Sequence, residues 1–152
     1  MKFVVTDRQS IEAGIVVRSS YVLISIRDPD KGKAKIPKQS GLKDTLFAAF
    51  HDAEPVEQMA LPPEIKLMTP EQAKEIWQFV LQHDGKVGTV VVHCEQGMSR
   101  SPAVAAALCK GLGGNDSRFF GEYQPNAYVY ANPREAFKSL LGKAVPDSTK
   151  TP

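Results

Sequence analysis

Two cysteines, Cys94 and Cys109, are all the thiol this 152-residue chain carries. That scarcity excludes a disulfide framework and a four-cysteine zinc site. Charge of one sign is just as scarce. Nineteen Lys and Arg against seventeen Asp and Glu leave +2, so bulk electrostatics draw the chain neither to nucleic acid nor to an anionic membrane. No apolar run approaches the roughly 18 residues of a membrane span. Met1–Asp7 turns polar after Phe3, Val4 and Val5, far short of a signal peptide's apolar stretch of about 7–15 residues. The expectation is a cytoplasmic protein with reduced thiols and no membrane or nucleic-acid partner.

Repeats and low-complexity blocks are also missing. What is present, 42% apolar and 24% charged residues, is the composition of one globular domain. It is expected over 1–145, with 146–152 a flexible polar tail. Apolar runs at Tyr21–Ile26, Thr45–Phe50 and Gly88–Val92 read as buried strands, and Lys2–Val5 and Gly14–Val17 as weaker ones. Thr69, Pro70 and Gln72 form the start signal of a helix reaching His83, with Ile76, Trp77, Val80 and Leu81 as its apolar stripe. Further helices are expected at Ser99–Leu112, Asn115–Phe120 and Pro133–Leu141. Strands alternating with helices imply a single α/β domain, a central mostly parallel sheet flanked by helices.

One segment stands apart: Val90-Val91-Val92-His93-Cys94-Glu95-Gln96-Gly97-Met98-Ser99-Arg100-Ser101. It reads as strand, tight loop, helix. Such a loop points backbone N–H groups inward and adds the positive end of the helix dipole, so it cradles an anion. A cysteine at the bottom of that cradle is placed to work as a thiolate. Gly97 lets the backbone bend close to a ligand. Arg100 offers a planar fork for two phosphate oxygens. Ser101 brings a hydroxyl within reach of the sulfur, and His93 is placed to hold the loop by hydrogen bonds. Cys109 lies about 14 Å along the helix from Arg100, so it is no disulfide partner for Cys94 and is expected in the core.

The run His93-Cys94-x5-Arg100-Ser101 resembles the phosphate-binding loop of the cysteine-dependent protein tyrosine phosphatases, and its compact setting resembles their dual-specificity branch, prokaryotic type. The Cys-x5-Arg spacing alone is a weak signal; His before it, Gly97 within it and Ser101 after it make it specific. Tyr123-x-Pro125-Asn126-x-x-Val129-Tyr130 also looks like a segment of prokaryotic members, with no mechanical role evident from sequence. The resemblance implies a phosphomonoester hydrolase that needs neither metal nor other cofactor. Cys94 would be the nucleophile and form a phosphocysteine. Glu95, Gln96, Gly97, Met98, Ser99 and Arg100 would bind the phosphoryl group through the loop, and Ser101 would help the thiolate leave.

The family draws its general acid from an Asp upstream of the cysteine. In parallel α/β sheets the site lies at the carboxyl ends of the strands. Asp84 precedes its strand and sits some 20 Å away, at the wrong edge. Asp52 follows Thr45–Phe50 at the correct edge and enters a long loop. It is the expected acid and base. Asp28 reaches the same edge and is the second candidate; Asp28 and His51 are also possible substrate contacts.

Glu95 and Gln96 depart from the family pattern, which favours a small residue at the latter. A carboxylate at 95 opposes a neighbouring thiolate, so Glu95 is expected to face away from the cradle. No aromatic clamp is recognisable, which points to a shallow pocket. The expected ligands are a phosphorylated protein or small phosphoester, and phosphate, sulfate or vanadate in the site. Two alternatives stay open: a phosphate-reading module with vestigial catalysis, and a sulfurtransferase or arsenate reductase built on a similar cysteine loop.

Overall fold

A computed structural model describes residues 1–144, with the side chains of 141–144 excepted; the expected tail at 146–152 lies outside these residues. Strands β1 (Lys2–Asp7), β2 (Tyr21–Arg27), β3 (Leu42–Ala49) and β4 (Thr89–Cys94) form one parallel sheet in the order β1-β4-β2-β3. The two central strands, β2 and β4, are buried along nearly their whole length. Unbroken runs such as Val22-Leu23-Ile24 and Val90-Val91-Val92 are therefore covered on both faces. Because all four strands run the same way, their carboxyl ends share one edge. Asp7 pairs with Cys94 there, and Ser25 with His93.

One face of the sheet carries the main core. Helix α2 (Pro70–His83) begins as the sequence predicts: Gln72 N donates to Thr69 Oγ1 at 3.1 Å, and Thr69 N to Gln72 Oε1 at 2.9 Å. It buries Ala73, Ile76, Trp77 and Val80. Leu81 is 42% exposed, because it lies one 100° step beyond Val80 at the border of the stripe. Helix α3 (Arg100–Gly111) is buried almost all round. Ala103, Ala105, Ala106 and Ala107 let it sit close to the sheet on one side and to α5 (Ala127–Ala144) on the other. Helix α4 (Ser117–Glu122) starts two residues later than expected, at the turn where Ser117 N donates to Asn115 Oδ1.

Three expectations need correction. Gly14–Val17 is not a strand. Ile15 and Val17 do pack against the smaller core on the other face, but Val16 is exposed and the segment finds no ladder partner. In its place a short helix, α1 (Arg8–Ala13), follows β1 directly; Ser10 N donates to the Asp7 carboxylate at 2.7 Å. Six residues are too few to show a helical period in sequence. Helix α5 starts six residues before Pro133 and runs through it. The side chain of Asn126 accepts from Val129 N at 3.0 Å, and packing against α2 and α3 outweighs the donor that proline lacks. Cys109, expected in the core, is half-buried at its margin. No helix among the described residues is long and apolar enough to cross a membrane.

Candidate active site

Strand β4 ends at Cys94 and α3 starts at Arg100, so the intervening loop turns at the carboxyl edge of the sheet. Gly97 makes the turn possible. Its φ of 71° favours glycine, and a Cβ there would stand 2.9 Å from the carbonyl oxygen of Thr6 on β1. Bent this way, Gly97 N donates to Cys94 Sγ at 3.2 Å. Ser101, in the first turn of α3, brings Oγ to 3.1 Å from the same sulfur. Cys94 is 2% exposed and lines a cleft of about 370 Å³. Asp28, Lys31, His51, Asp52, Met98 and Arg100 are among that cleft's walls, and none of its lining residues is Phe, Tyr or Trp. A larger groove of about 680 Å³ runs beside the start of β1, and no cysteine, carboxylate or histidine is among its lining residues.

His93 is fully buried beside Cys94. Its Nδ1 lies 3.2 Å from the Cys94 carbonyl and its Nε2 2.6 Å from Ser25 Oγ on β2. A carbonyl only accepts, so Nδ1 carries the proton and Nε2 accepts from the serine hydroxyl. Burial is the main reason the imidazole titrates below its ordinary range. His93 therefore ties the end of β4 to β2 as a neutral ring.

Arg100 is 5% exposed, and its guanidinium turns into the cleft floor rather than to bulk water. Nη1 donates to Asp28 Oδ1 at 2.7 Å and to the Phe50 carbonyl at 2.8 Å. Burial works against the Asp28 charge, but the bonds and charges of Arg100 and Lys31 outweigh it and hold the carboxyl below its ordinary range. Asp28 is thus held as the anionic partner of Arg100, a poor condition for donating a proton.

Asp52 has a different setting. Its Oδ1 accepts from Ser99 Oγ at 2.8 Å and from Asn126 Nδ2 at 2.9 Å, while among the described residues nothing bonds Oδ2. Ser99 occupies the N-cap of α3 yet makes no side-chain cap bond; its hydroxyl is given to Asp52 instead. His51 is fastened to the opposite end of the same loop: it exchanges main-chain and side-chain bonds with Lys66, and its Nε2 meets Asp30 Oδ1 at 3.2 Å. Glu95 borders the cleft, but its carboxylate is turned onto Arg8 of α1 at 3.1 Å. Gln96 and Met98 are exposed at the mouth.

The predicted residues therefore come together around one cleft. Asn126 makes contacts there that its sequence segment did not disclose. Gln124 N donates to the Met98 carbonyl and Asn126 N to that of Ser99, which clips the start of α5 to the loop and aims the Asn126 amide at Asp52. A Pro-Asn pair before a helix signals a cap; nothing in sequence says that the other end of the amide reaches 74 residues back. Arg8 and Ser25 were equally invisible.

Neither a family model nor a curated protein matches this sequence. Solved structures do match its fold. A mouse protein assigned as a dual specificity phosphatase, crystallised with zinc tungstate, is 18% identical, with 91% of this chain and 83% of that one covered at a TM-score of 0.58. Human DUSP28 is 14% identical over 93% and 94% of the two chains, TM-score 0.55. PTPMT1 is 15% identical over 94% of each, TM-score 0.53. At identities of 14–18% these likenesses establish a shared fold: the chain folds as these three solved structures do.

Proposed function

We propose that this chain is a cysteine-dependent phosphomonoester hydrolase of dual-specificity type. One observation carries the reading: a cysteine sulfur with an N–H and a hydroxyl at 3.2 and 3.1 Å lies in the same cleft as a buried arginine and a tethered aspartate. A module that only reads phosphate has no use for the thiol or for a carboxyl fixed by Ser99 and Asn126. Arsenate reduction needs shuttle cysteines near the loop, and Cys109 sits at the far end of α3.

The reaction follows from these positions. The phosphoryl group enters the loop from Glu95 to Arg100, where amides and guanidinium balance its charge. Cys94 Sγ attacks phosphorus, the ester P–O bond breaks, and Asp52 delivers a proton to the departing oxygen through its free Oδ2. Water then attacks the phosphocysteine, Asp52 takes its proton, and the P–S bond breaks. The electron pair returns to sulfur, where the Ser101 hydroxyl and Gly97 N–H receive the negative charge. Phosphate, sulfate and vanadate are expected site ligands. The polar cleft, without Phe, Tyr or Trp in its walls, supports small or exposed phosphoesters over a deeply inserted side chain.

The test is hydrolysis of p-nitrophenyl phosphate by wild type and Cys94→Ser, with acid quench to trap the phosphoenzyme. Wild type should turn over and yield phosphate bound to the peptide containing Cys94. Equal turnover by the serine variant would overturn the assignment.

A further inference from the structure

Glu95 is a chemical oddity: a carboxylate on the residue next to the nucleophile, in a loop built to hold anions. Its partner explains how the loop tolerates it. Arg8, the first residue of α1, gives Nη1 to Glu95 Oε1 at 3.1 Å, and its main-chain N–H to the Glu95 carbonyl at 3.3 Å. The two side chains are only 21% and 16% exposed, so solvent screens the pair less than it screens a surface pair. Arg8 Nε also lies 3.5 Å from Glu12 Oε2, one turn along α1, and that carboxylate accepts from Lys35 N at 2.8 Å. The guanidinium is thus held from both sides, and Gly97 rests on Thr6 two residues before it. The junction of β1 and α1 forms a brace under the loop.

We propose that Arg8 is a positioning residue of the active site: it holds Glu95 as half of a neutral pair, so that the cradle around Cys94 carries no uncompensated negative charge. The inference deepens the phosphatase reading and rests on Cys94 acting as a thiolate. The other groups near the sulfur are Arg100, Asp28 and Lys31 across the cleft, Asp52 on its loop, neutral His93 behind, and Asp7 beside Cys94 on β1. None of these residues is substituted in the variants; His93 feels Glu95 and Arg8 with opposite signs, and Glu12, the other partner of Arg8, keeps its bond from Lys35 N.

The experiment is the pH dependence of Cys94 alkylation by iodoacetamide, read from the mass of its peptide so that Cys109 does not interfere. It needs no turnover. Arg8→Ala should move the profile to higher pH by about half a unit to one unit, because a nearby anion is left unbalanced. Glu95→Gln should move it down by a similar amount. The double variant should return to within about 0.2 unit of wild type if the pair is electrically neutral toward the sulfur. Arg8→Lys, which keeps the charge, should stay close to wild type. An unmoved profile in Arg8→Ala, with or without a lower melting temperature, would reduce Arg8 to a structural tie and overturn the proposal. So would a shift that persists in the double variant. Normal alkylation shifts in a chain that hydrolyses no phosphoester would instead count against the phosphatase reading alone.

Discussion

Arg100 is held by the ends of two neighbouring strands: Asp28, just past β2, at 2.7 Å and the Phe50 carbonyl, just past β3, at 2.8 Å. Asp28 and Asp52 follow those strands, and Arg100 bonds the first of them. The one it holds stays ionised, while the one it leaves free is positioned by neutral donors.

Asp52→Asn should therefore lower kcat on p-nitrophenyl phosphate by about 10²-fold and remove the basic limb of its pH profile, as loss of a general acid does. Asp28→Asn keeps an acceptor for Arg100 and should leave that limb in place, with kcat within about tenfold of wild type. Profiles of the two variants measured side by side decide between the carboxylates. A missing basic limb in Asp28→Asn would reverse the assignment.

Asn126 joins two tasks, since Oδ1 caps α5 at Val129 N and Nδ2 donates to Asp52. Asn126→Asp keeps the cap, loses the donor and sets a negative charge against Asp52. It should melt near wild type yet lose about tenfold in kcat, more with an alkyl phosphate than with p-nitrophenyl phosphate, whose leaving group needs little protonation. Asn126→Ala should show the same catalytic loss together with about 1 kcal/mol of stability from the missing cap. Chemical denaturation and a leaving-group series separate the two effects.

Gly97→Ala meets two obstacles at once, a φ of 71° and the Thr6 carbonyl 2.9 Å from the new Cβ. Both are backbone, so neither yields by a rotamer change. The loop should rearrange, withdrawing the N–H from Cys94 Sγ. The expected result is a fall in kcat/KM of at least about 10²-fold and a parallel loss of vanadate inhibition, measured on a variant whose circular dichroism is unchanged.

His93 sets a pH limit on stability. Burial holds its folded pKa below the unfolded value, so the neutral ring contributes stability that is complete above about pH 6.5 and is lost as pH falls toward the folded value. The Asp28 ion pair behaves the same way at lower pH: its depressed carboxyl stabilises the fold above about pH 3.9 and ceases to do so as it is protonated. Melting temperature should decline from pH 7 to 5, and His93→Gln should flatten that decline while starting lower. A wild-type melting temperature that is constant over this range would contradict the neutral assignment of the ring.

The sequence alone determined the parts whose physics is local. β-branched runs bounded by turn signals read as buried strands, Thr69-Pro70-Glu71-Gln72 reads as a helix start, and the spacing from Cys94 to Arg100 after such a strand reads as a tight strand-to-helix loop. The Asp52 position followed from chain direction, because parallel strands deliver the residues after them to one edge. Tertiary structure decided everything that depends on partners distant in sequence: that Arg8 neutralises Glu95, that Arg100 takes Asp28, and that Asn126 reaches back to Asp52. It also decided that Gly14–Val17, a short apolar run that reads as a strand, remains a loop. A ladder and an ion pair both require a second chain segment at the right distance, and no local pattern says which segment that is.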